Sequence, residues 1–388
     1  MPSCWIEVDL NAIENNYRAV RGICGDGVAI VAIIKANAYG HGAVEVAKTL
    51  SNAGAQYLAV TRLEEALPIR EAGVLAPLML LAPALPDEVP EAVAQGLTAC
   101  ISCFEDAERL SQAAATQNKR ARAQLKIDTG MNRFGVASDQ AIEVARKIAA
   151  LPNLKLEAAF THFAFAAGTA RDTPKVQQPF AIFQSLIAPI SQAARISSDG
   201  FHCANSAAIL RFPEMRLKCA RAGTILYGQM PSSLAGEAGR QLNLKLENTF
   251  QAKARVLAIK MVQAGQSVGY GGEWTASRPT QIATIGIGFA DGFTQEPQTR
   301  RESPAAALKK TARQAALQLA QLTGLKGDSA HRTVQIRNQK ATIIGRIAMQ
   351  SCAVDVTKIE EVQVGDEVLV SLRRTSAGAH LPRVYKRA

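Results

Sequence analysis

The fold is decided first by the stretch Ala29-Ile30-Val31-Ala32-Ile33-Ile34-Lys35-Ala36-Asn37-Ala38-Tyr39-Gly40-His41-Gly42. Its first half, residues 29–35, is a short apolar run typical of a buried strand, and a helix-period segment over 42–53 follows it. A strand followed by a helix predicts an α/β protein, because the helix returns the chain to the same edge of the sheet and makes the next strand parallel.

The same strand-and-helix unit repeats through the first 230 residues. Eight apolar runs are spaced roughly evenly, at 29–35, 57–60, 78–82, 98–102, 121–128, 154–162, 198–203 and 218–221. Helical patterns separate them at 42–53, 63–72, 104–115, 140–150 and 176–194, and the connection at 206–210 is short for a full helix. Eight units predict a closed (β/α)8 barrel, with a doubly wound open sheet as the structural alternative.

The pattern changes after about residue 235. Apolar runs at 252–259, 281–287, 340–347, 352–356 and 367–372 are separated by turn residues, without crossover helices. This pattern predicts a mainly antiparallel domain. We therefore predict a barrel domain over residues 1–235 and a C-terminal β domain over 236–388. Pro304 and Gly324 bound a predicted helix at 304–322, within a basic insertion of about 295–332.

The net charge is carried by two segments. The 388 residues include 44 Lys and Arg against 33 acidic residues, a formal charge of +11. Residues 295–340 hold nine basic residues against three acidic ones, and 371–388 hold five and none. A module binding nucleic acid or another polyanion through the insertion is therefore a possible function. We favour a solvated charged helix and do not expect a nucleic-acid partner, because no aromatic residues interleave with the basic ones.

Cysteine usage and the N-terminus indicate a reduced, aqueous environment. Seven scattered cysteines favour free thiols over a disulfide framework, and Cys100 and Cys103 lack the second ligand pair of a zinc site. No uninterrupted apolar run of membrane length and no signal-peptide pattern is found. We expect a cytoplasmic protein with no metal and no membrane association.

Polar residues stand at the carboxyl ends of the predicted strands. Lys35, Asp128, His162 and Arg221 end their runs, and His202 lies within the seventh. In a barrel these ends converge on one face, where active sites form. A lysine at the end of a buried strand should have a lowered pKa and can form a Schiff base. Taken alone, a lysine at the end of a strand is more often a solvated cap.

Eight motifs in order make the chain resemble the alanine racemase family, pyridoxal-phosphate enzymes of fold type III. The resemblance covers residues 6 to about 366. Its motifs are KANAYGHG at 35–42, KIDTGMNR at 126–133, THFA at 161–164, HCANSAA at 202–208, RAGTILYG at 221–228, VGYG at 268–271, IGFADG at 287–292 and GRIAM at 345–349.

The resemblance implies a cofactor site and two catalytic bases. Lys35 would hold pyridoxal 5'-phosphate as an internal aldimine, and Arg221 would face its pyridine nitrogen. Lys35 and Tyr270 of the partner subunit would be the bases on the two faces of the substrate, with a relay from Arg221 through His202 lowering the tyrosine pKa. A homodimer with shared active sites is therefore implied.

The same resemblance assigns the remaining site residues. Phosphate binding would involve Tyr39, Ser206, Gly223 and Thr224, with Asn205 in the same motif, and His162 would pack beside the cofactor ring. Arg133 and the backbone of Met349 would bind the substrate carboxylate. Lys126 is a possible carbamylated lysine that steadies Arg133.

The predicted function is racemisation of a small amino acid, with L- and D-alanine the first expectation. Serine or a broader set is an alternative, and so is a non-catalytic pyridoxal-phosphate-binding protein. Three departures from the family pattern set this chain apart. Phe289 replaces a tyrosine, the insertion is longer, and Ala379 stands where the family has a second phosphate-binding tyrosine, which predicts weaker cofactor retention.

Overall fold

A computed structural model describes residues 2–294, residue 312 and residues 333–387. These residues divide into two compact units, one formed by residues 9–249 with 385–388, the other by residues 1–8 with 250–384. The predicted helix at 304–322 lies outside the described residues, apart from residue 312.

The chain opens with strand β1 (Cys4–Asp9), which belongs to the second unit, and continues into the elements of the first. The strands of the first unit are β2 (Ala29–Ile33), β3 (Tyr57–Val60), β4 (Leu78–Leu80), β5 (Thr98–Ile101), β6 (Ala121–Asp128), β7 (Val136–Ala137), β8 (Leu154–Phe160) and β9 (Cys219–Ala222). Its helices are α1 (Leu10–Cys24), α2 (Lys35–Tyr39), α3 (Ala43–Asn52), α4 (Leu63–Glu71), α5 (Val89–Ala94), α6 (Phe104–Thr116), α7 (Ala141–Ala149), α8 (Pro174–Ala194), α9 (Ser206–Arg211) and α10 (Ser233–Gln241).

Parallel pairing closes the first unit into a barrel. The strand order β6-β5-β4-β3-β2-β9 is continued at the other edge by β8, which pairs with β6. The gap between β8 and β9 is bridged by one residue, because His202 pairs with both Phe160 and Cys219. The predicted eight-membered barrel is therefore confirmed. The seventh strand, predicted over 198–203, is wrong as a strand, since a 3-10 turn (Ser198–Gly200) occupies half of it.

Apolar side chains from several strands fill the barrel interior. Val31, Ala59, Met79, Cys100 and Phe160 belong to one buried cluster, each from a different strand. A closed parallel sheet covered by helices must be apolar on both faces, which explains why these strands appear in the sequence as continuous apolar runs. The seven cysteines, all within the described residues, are free.

The second unit is an antiparallel sheet built around one long strand. Its strands after β1 are β10 (Phe250–Val262), β11 (Ser267–Val268), β12 (Trp274–Thr275), β13 (Thr280–Ile285), β14 (Thr333–Ile336), β15 (Gln339–Ile344), β16 (Cys352–Asp355), β17 (Glu367–Val370) and β18 (Arg383–Lys386). Six of them close a ring in the order β10-β13-β16-β15-β14-β17, because β10 pairs with both β13 and β17. The predicted antiparallel domain is confirmed.

The division between the units differs from the predicted boundary at residue 235. Strand β1 pairs with β10, with Cys4 opposite Ala254 and Val8 opposite Phe250, so the N-terminal strand belongs to the β unit. Sequence periodicity could not predict that β1 belongs to the β unit, because pairing between strands more than 240 residues apart leaves no local pattern. Among the described residues, no helix combines the length and apolar character needed to cross a membrane.

Helix α1 was missed by the sequence analysis, and a buried asparagine anchors it. The Asn16 amide donates to the carbonyls of Leu226 and Glu247, and its oxygen accepts from the Glu247 N–H at 2.7 Å. Asn16 is fully buried, so these bonds satisfy groups that water cannot reach.

We expect Asn16→Ala to lower the free energy of unfolding by about 1–3 kcal/mol, because the backbone groups of Leu226 and Glu247 lose their partner. Urea unfolding followed by circular dichroism measures the change. The neighbouring Asn15→Ala is the matched control, since exposed Asn15 makes one side-chain bond to Glu247. Equal effects of the two substitutions would contradict the anchoring role.

Candidate active site

A cavity of about 320 Å³ lies at the carboxyl ends of the barrel strands. Its charged lining consists of Lys35, Lys126, Arg133 and Arg221, together with His162, and none of the lining residues is acidic. Four cationic side chains around one space repel each other, so the cavity favours an anionic occupant.

The backbone after Lys35 is strained. Ala36, Asn37, Ala38 and Tyr39 all have φ between 51° and 53°, in the left-handed region. Each such residue costs about 1–2 kcal/mol relative to a right-handed turn. Strand β2 ends at Ile33, two residues earlier than predicted, so Lys35 directly precedes this left-handed turn and does not end a strand.

Arg221 at the end of β9 is the centre of the site. Its guanidinium is buried and donates to the carbonyls of Thr161, His202 and Cys203, at 2.7 to 3.1 Å. It also lies 2.5 Å from His202 Nδ1 and 3.2 Å from His162 Nδ1. Desolvation lowers its pKa to about 10, which leaves it protonated at neutral pH.

The two histidines beside Arg221 have different surroundings. His202 Nε2 lies 2.7 Å from Gln124 Oε1, so it carries the hydrogen, and Nδ1 accepts from Arg221. Both ring nitrogens are thus engaged inside the barrel, and the predicted relay from Arg221 through His202 to Tyr270 is wrong. His162 lines the cavity and also contacts Arg221.

Burial and mutual repulsion lower the pKa of both cavity lysines. For Lys35 the largest cause is desolvation, followed by the charge of Arg133. Desolvation also lowers the pKa of Lys126 to about 8. Lys126 is 4% exposed, donates to the Leu81 carbonyl at 3.1 Å and lies over the rings of Phe134 and Phe160.

Hydroxyl groups surround Gly223 on one side of the cavity. A Cβ at Gly223 would approach the Tyr39 hydroxyl to 2.8 Å, so glycine is required where these groups converge. The Gly223 N–H donates to Ser206 Oγ at 2.8 Å, which leaves the Ser206 hydrogen available for an anion. Thr224 Oγ1 is buried without a partner among the described residues.

Asn205 has a structural position in this motif. Its side-chain oxygen accepts from the N–H groups of Ala207 and Ala208, and its amide donates to the Phe163 carbonyl. It therefore caps α9 and orients Ser206. Desolvation raises the pKa of Tyr39 to about 12, so its phenol remains a hydrogen-bond donor.

The loop carrying Arg133 is shaped by Asp128. One carboxylate oxygen of Asp128 accepts from the N–H groups of Gly130, Met131 and Asn132, at 2.9 to 3.1 Å. The guanidinium of Arg133 then lies 5.5 Å from the Phe134 ring centre, and its side chain lines the cavity. Within the KIDTGMNR motif, the aspartate therefore fixes the conformation of the loop that carries the arginine.

The remaining predicted site residues belong to the second unit. Tyr270 lies in a 3-10 turn and is 72% exposed, and Met349 is 62% exposed. Ala379 has no hydroxyl, and its carbonyl accepts from Arg383. His380 Nε2 lies 2.9 Å from a carboxylate oxygen of buried Asp291, within hydrogen-bond distance.

Three residues that hold the site were not found from the sequence: Gln124, His41 and Glu65. Gln124 fixes the His202 tautomer, while the side chains of His41 and Glu65 form hydrogen bonds with the backbone of the left-handed turn. Gln124 carried a usable signal, since an amide inside the apolar run at 121–128 requires a buried partner. No group of three or more His, Cys, Asp or Glu side chains in the described residues is arranged to hold a metal.

A barrel whose mouth combines a cationic, hydroxyl-lined cavity with a strained turn directly after a lysine has the features of a binding site for an anionic ligand. Two family models match the chain. The N-terminal domain of alanine racemase matches residues 8–231, and its C-terminal domain matches residues 249–380.

Alanine racemases are similar to this chain over nearly its full length. An alanine racemase from Desulforamulus reducens is 34% identical over 97% of this chain and 91% of its own length. One from Desulfovibrio desulfuricans is 35% identical over 94% and 88%. The solved alanine racemase of Clostridium difficile 630 has a TM-score of 0.85 at 26% identity, covering 100% of this chain and 96% of that one. The chain belongs to the alanine racemase family and is an isomerase, which confirms the resemblance.

The surroundings of His162 predict an acid-sensitive barrel. Desolvation and the charge of Arg221 lower its folded pKa to about 3, whereas the unfolded value is about 6.5. The unfolded chain therefore takes up the proton first as pH falls through this window, and the folded state loses stability.

Between pH 7 and pH 5, His162 should remove about 2 kcal/mol from the free energy of unfolding. Urea titrations at both pH values measure the loss, and His162→Gln should reduce it by that amount. The pKa of His202 is also lowered by burial and by the charge of Arg221, and its contribution to the pH dependence of stability is the same in both proteins. An identical pH dependence of wild type and variant would contradict the neutral state of His162.

Proposed function

We propose that this protein interconverts L- and D-alanine with pyridoxal 5'-phosphate bound at the barrel mouth. The observation behind the proposal is the cavity itself, where a lysine of lowered pKa stands among cations without an acidic residue in the lining. Such an amine is available as a nucleophile and later as a base.

The residues present fit the cofactor. Its phosphate is an anion, and the cavity offers the Thr224 hydroxyl, which has no described partner, with the hydroxyls of Tyr39 and Ser206 around Gly223. Lys35 would hold the cofactor covalently. When bound, pyridoxal phosphate supplies an electron sink that acidifies the α-hydrogen of an amino acid.

Arg221 would tune that sink. Its guanidinium keeps its proton at working pH, so it cannot protonate a pyridine nitrogen as a carboxylic acid would. A weaker sink favours returning one proton to the substrate over transamination. The carbonyls that surround Arg221 hold the guanidinium in place without neutralising it.

Proton transfer at two faces of the substrate needs two bases. We assign Lys35 to one face and Tyr270 of the partner subunit to the other. The high exposure of Tyr270 and Met349 in the single chain supports a homodimer in which both side chains are covered. His162, which contacts Arg221 and lines the cavity, replaces His202 as the proposed relay to the tyrosine.

Substrate binding is assigned to Arg133, with the backbone of the partner's Met349. An arginine that lines the cavity suits a carboxylate. The substrate is a small amino acid, and serine or a broader range is the alternative to alanine. We place the enzyme in the cytoplasm, which its seven free thiols support.

Racemisation assays of three proteins test the proposal. Wild type with pyridoxal phosphate should convert L-alanine to D-alanine. Lys35→Ala should lose covalent cofactor attachment and activity. Tyr270→Phe should keep the attachment but lose about 10²–10⁴-fold in racemisation, because one base is missing. In deuterated water it should still exchange the α-hydrogen of one enantiomer.

Cofactor binding by wild type without turnover of alanine or serine would instead identify a non-catalytic binding protein. Exchange of both enantiomers by Tyr270→Phe would contradict the two-base assignment.

We further propose that Lys126 is carbamylated. Carbon dioxide reacts with the neutral amine, and a pKa of about 8 makes a substantial neutral fraction available near neutral pH. Lys126 and Arg133 flank the same Phe134 ring, so turning the lysine into an anion would replace repulsion of Arg133 by attraction.

Labelled bicarbonate and carbon NMR should reveal a carbamate signal in wild type that grows as pH rises through about 8. Lys126→Arg should lose this signal, since a guanidinium does not form a carbamate. A signal of equal intensity in Lys126→Arg would place the modification elsewhere.

A further inference from the structure

His41 is a buried histidine with no part in the proposed chemistry. It stands two residues after the left-handed turn formed by residues 36–39, and its side chain is fully buried. A polar ring enclosed in this way must be matched by hydrogen bonds, and these bonds lead directly to the turn.

One ring nitrogen of His41 holds the end of the turn. Nδ1 lies 2.9 Å from the Ala38 carbonyl oxygen and 3.2 Å from that of Tyr39. Since a carbonyl only accepts, Nδ1 carries the hydrogen and donates it. The bond therefore joins the ring to backbone in the left-handed region, which is unfavourable for residues other than glycine and needs support from its surroundings.

The other ring nitrogen joins the turn to fixed structure. Nε2 lies 2.8 Å from Thr249 Oγ1, and this hydroxyl lies 3.0 Å from the Tyr227 carbonyl oxygen. The Tyr227 ring packs against both His41 and Tyr39, with ring centres 4.7 and 4.9 Å apart. His41 thus ties the turn to the segment after β9.

Glu65 holds the beginning of the same turn. One carboxylate oxygen accepts from the Ala36 N–H, and the other accepts from the N–H groups of Thr61 and Arg62, at 2.8 and 3.2 Å. Both oxygens are needed as acceptors, so an amide would point a donor at a backbone N–H. The carboxylate therefore ties the turn to the end of β3.

We propose that His41 and Glu65 are positioning residues that hold the left-handed turn from its two ends and so place Lys35 and Tyr39 for the cofactor. Lys35 precedes the turn and Tyr39 ends it, so relaxation of the turn displaces both groups at once. This inference rests on the proposed function, because its effect is expressed through pyridoxal phosphate.

The two ring nitrogens can be tested separately. In His41→Asn the side-chain amide occupies the Nδ1 position and can still donate to Ala38. In His41→Gln the amide reaches the Nε2 position and loses that bond. Equilibrium dialysis gives the dissociation constant of pyridoxal phosphate, and visible absorption gives the fraction attached to lysine when the cofactor saturates.

We expect His41→Gln to weaken cofactor binding about tenfold or more, as loss of one well-placed hydrogen bond implies, and to reduce lysine attachment at saturation. His41→Asn should stay within about threefold of wild type. A purely structural role would lower the melting temperature of both variants without separating their attachment spectra.

Glu65→Gln provides a second test at a partly exposed position that folding tolerates more readily. It should also weaken cofactor binding about tenfold. The control is Glu64→Gln, which removes an equal charge one residue away, where Glu64 makes an exposed ion pair with Arg62. That control should leave the dissociation constant unchanged.

The outcomes separate the two proposals. If wild type binds pyridoxal phosphate and His41→Gln and Glu65→Gln bind it equally well, the positioning role is overturned. The same holds if His41→Asn is as impaired as His41→Gln, or Glu64→Gln as Glu65→Gln. If wild type itself does not attach the cofactor, the proposed function fails first.

Discussion

The structure of the site depends on keeping one guanidinium charge buried at the end of β9. Among the described residues, Arg221 makes no hydrogen bond to a carboxylate. Backbone carbonyls and the ring nitrogens of two histidines accept its hydrogens instead. This arrangement keeps the charge unneutralised. Desolvation is the largest cause of the lowered pKa of both histidines and both cavity lysines, and the charge of Arg221 lowers each of these pKa values further. A neutralised arginine would leave an ordinary polar pocket. The unneutralised guanidinium makes the mouth of the barrel suitable for anions and favours the neutral form of the Lys35 and Lys126 amines.

The sequence predicted the barrel well because its periodicity is a local consequence of burial. Seven of the eight barrel strands coincide with apolar runs. The predicted site residues Lys35, Lys126, His162, Arg221 and Thr224 line one cavity, and their roles remain predictions. Other features have no local signal. The pairing of β1 with β10 joins distant residues, α1 is anchored by a single buried asparagine, and the left-handed turn lacks glycine at its four strained positions.

The histidine assignment failed for a related reason. His162 ends one apolar run and His202 lies within another, and nothing in the sequence distinguishes which ring faces the cavity. The distinction comes from Gln124 on β6, which occupies the second nitrogen of His202 across the barrel interior. Side-chain pairing between neighbouring strands is a property of register, so only the folded barrel could separate the two roles. The part taken by Tyr270, Met349 and the homodimer remains a prediction.

The single-residue bridge at His202 has a consequence for how this barrel can change over time. The backbone of His202 closes the ring between β8 and β9, and its imidazole supports Arg221 from the same position. One residue, His202, therefore both closes the barrel and supports the buried arginine. A substitution at His202 would disturb the closure between β8 and β9 and the burial of Arg221 at the same time. We therefore expect sequence changes that alter activity to occur in the loops and in the second unit, with His202 retained.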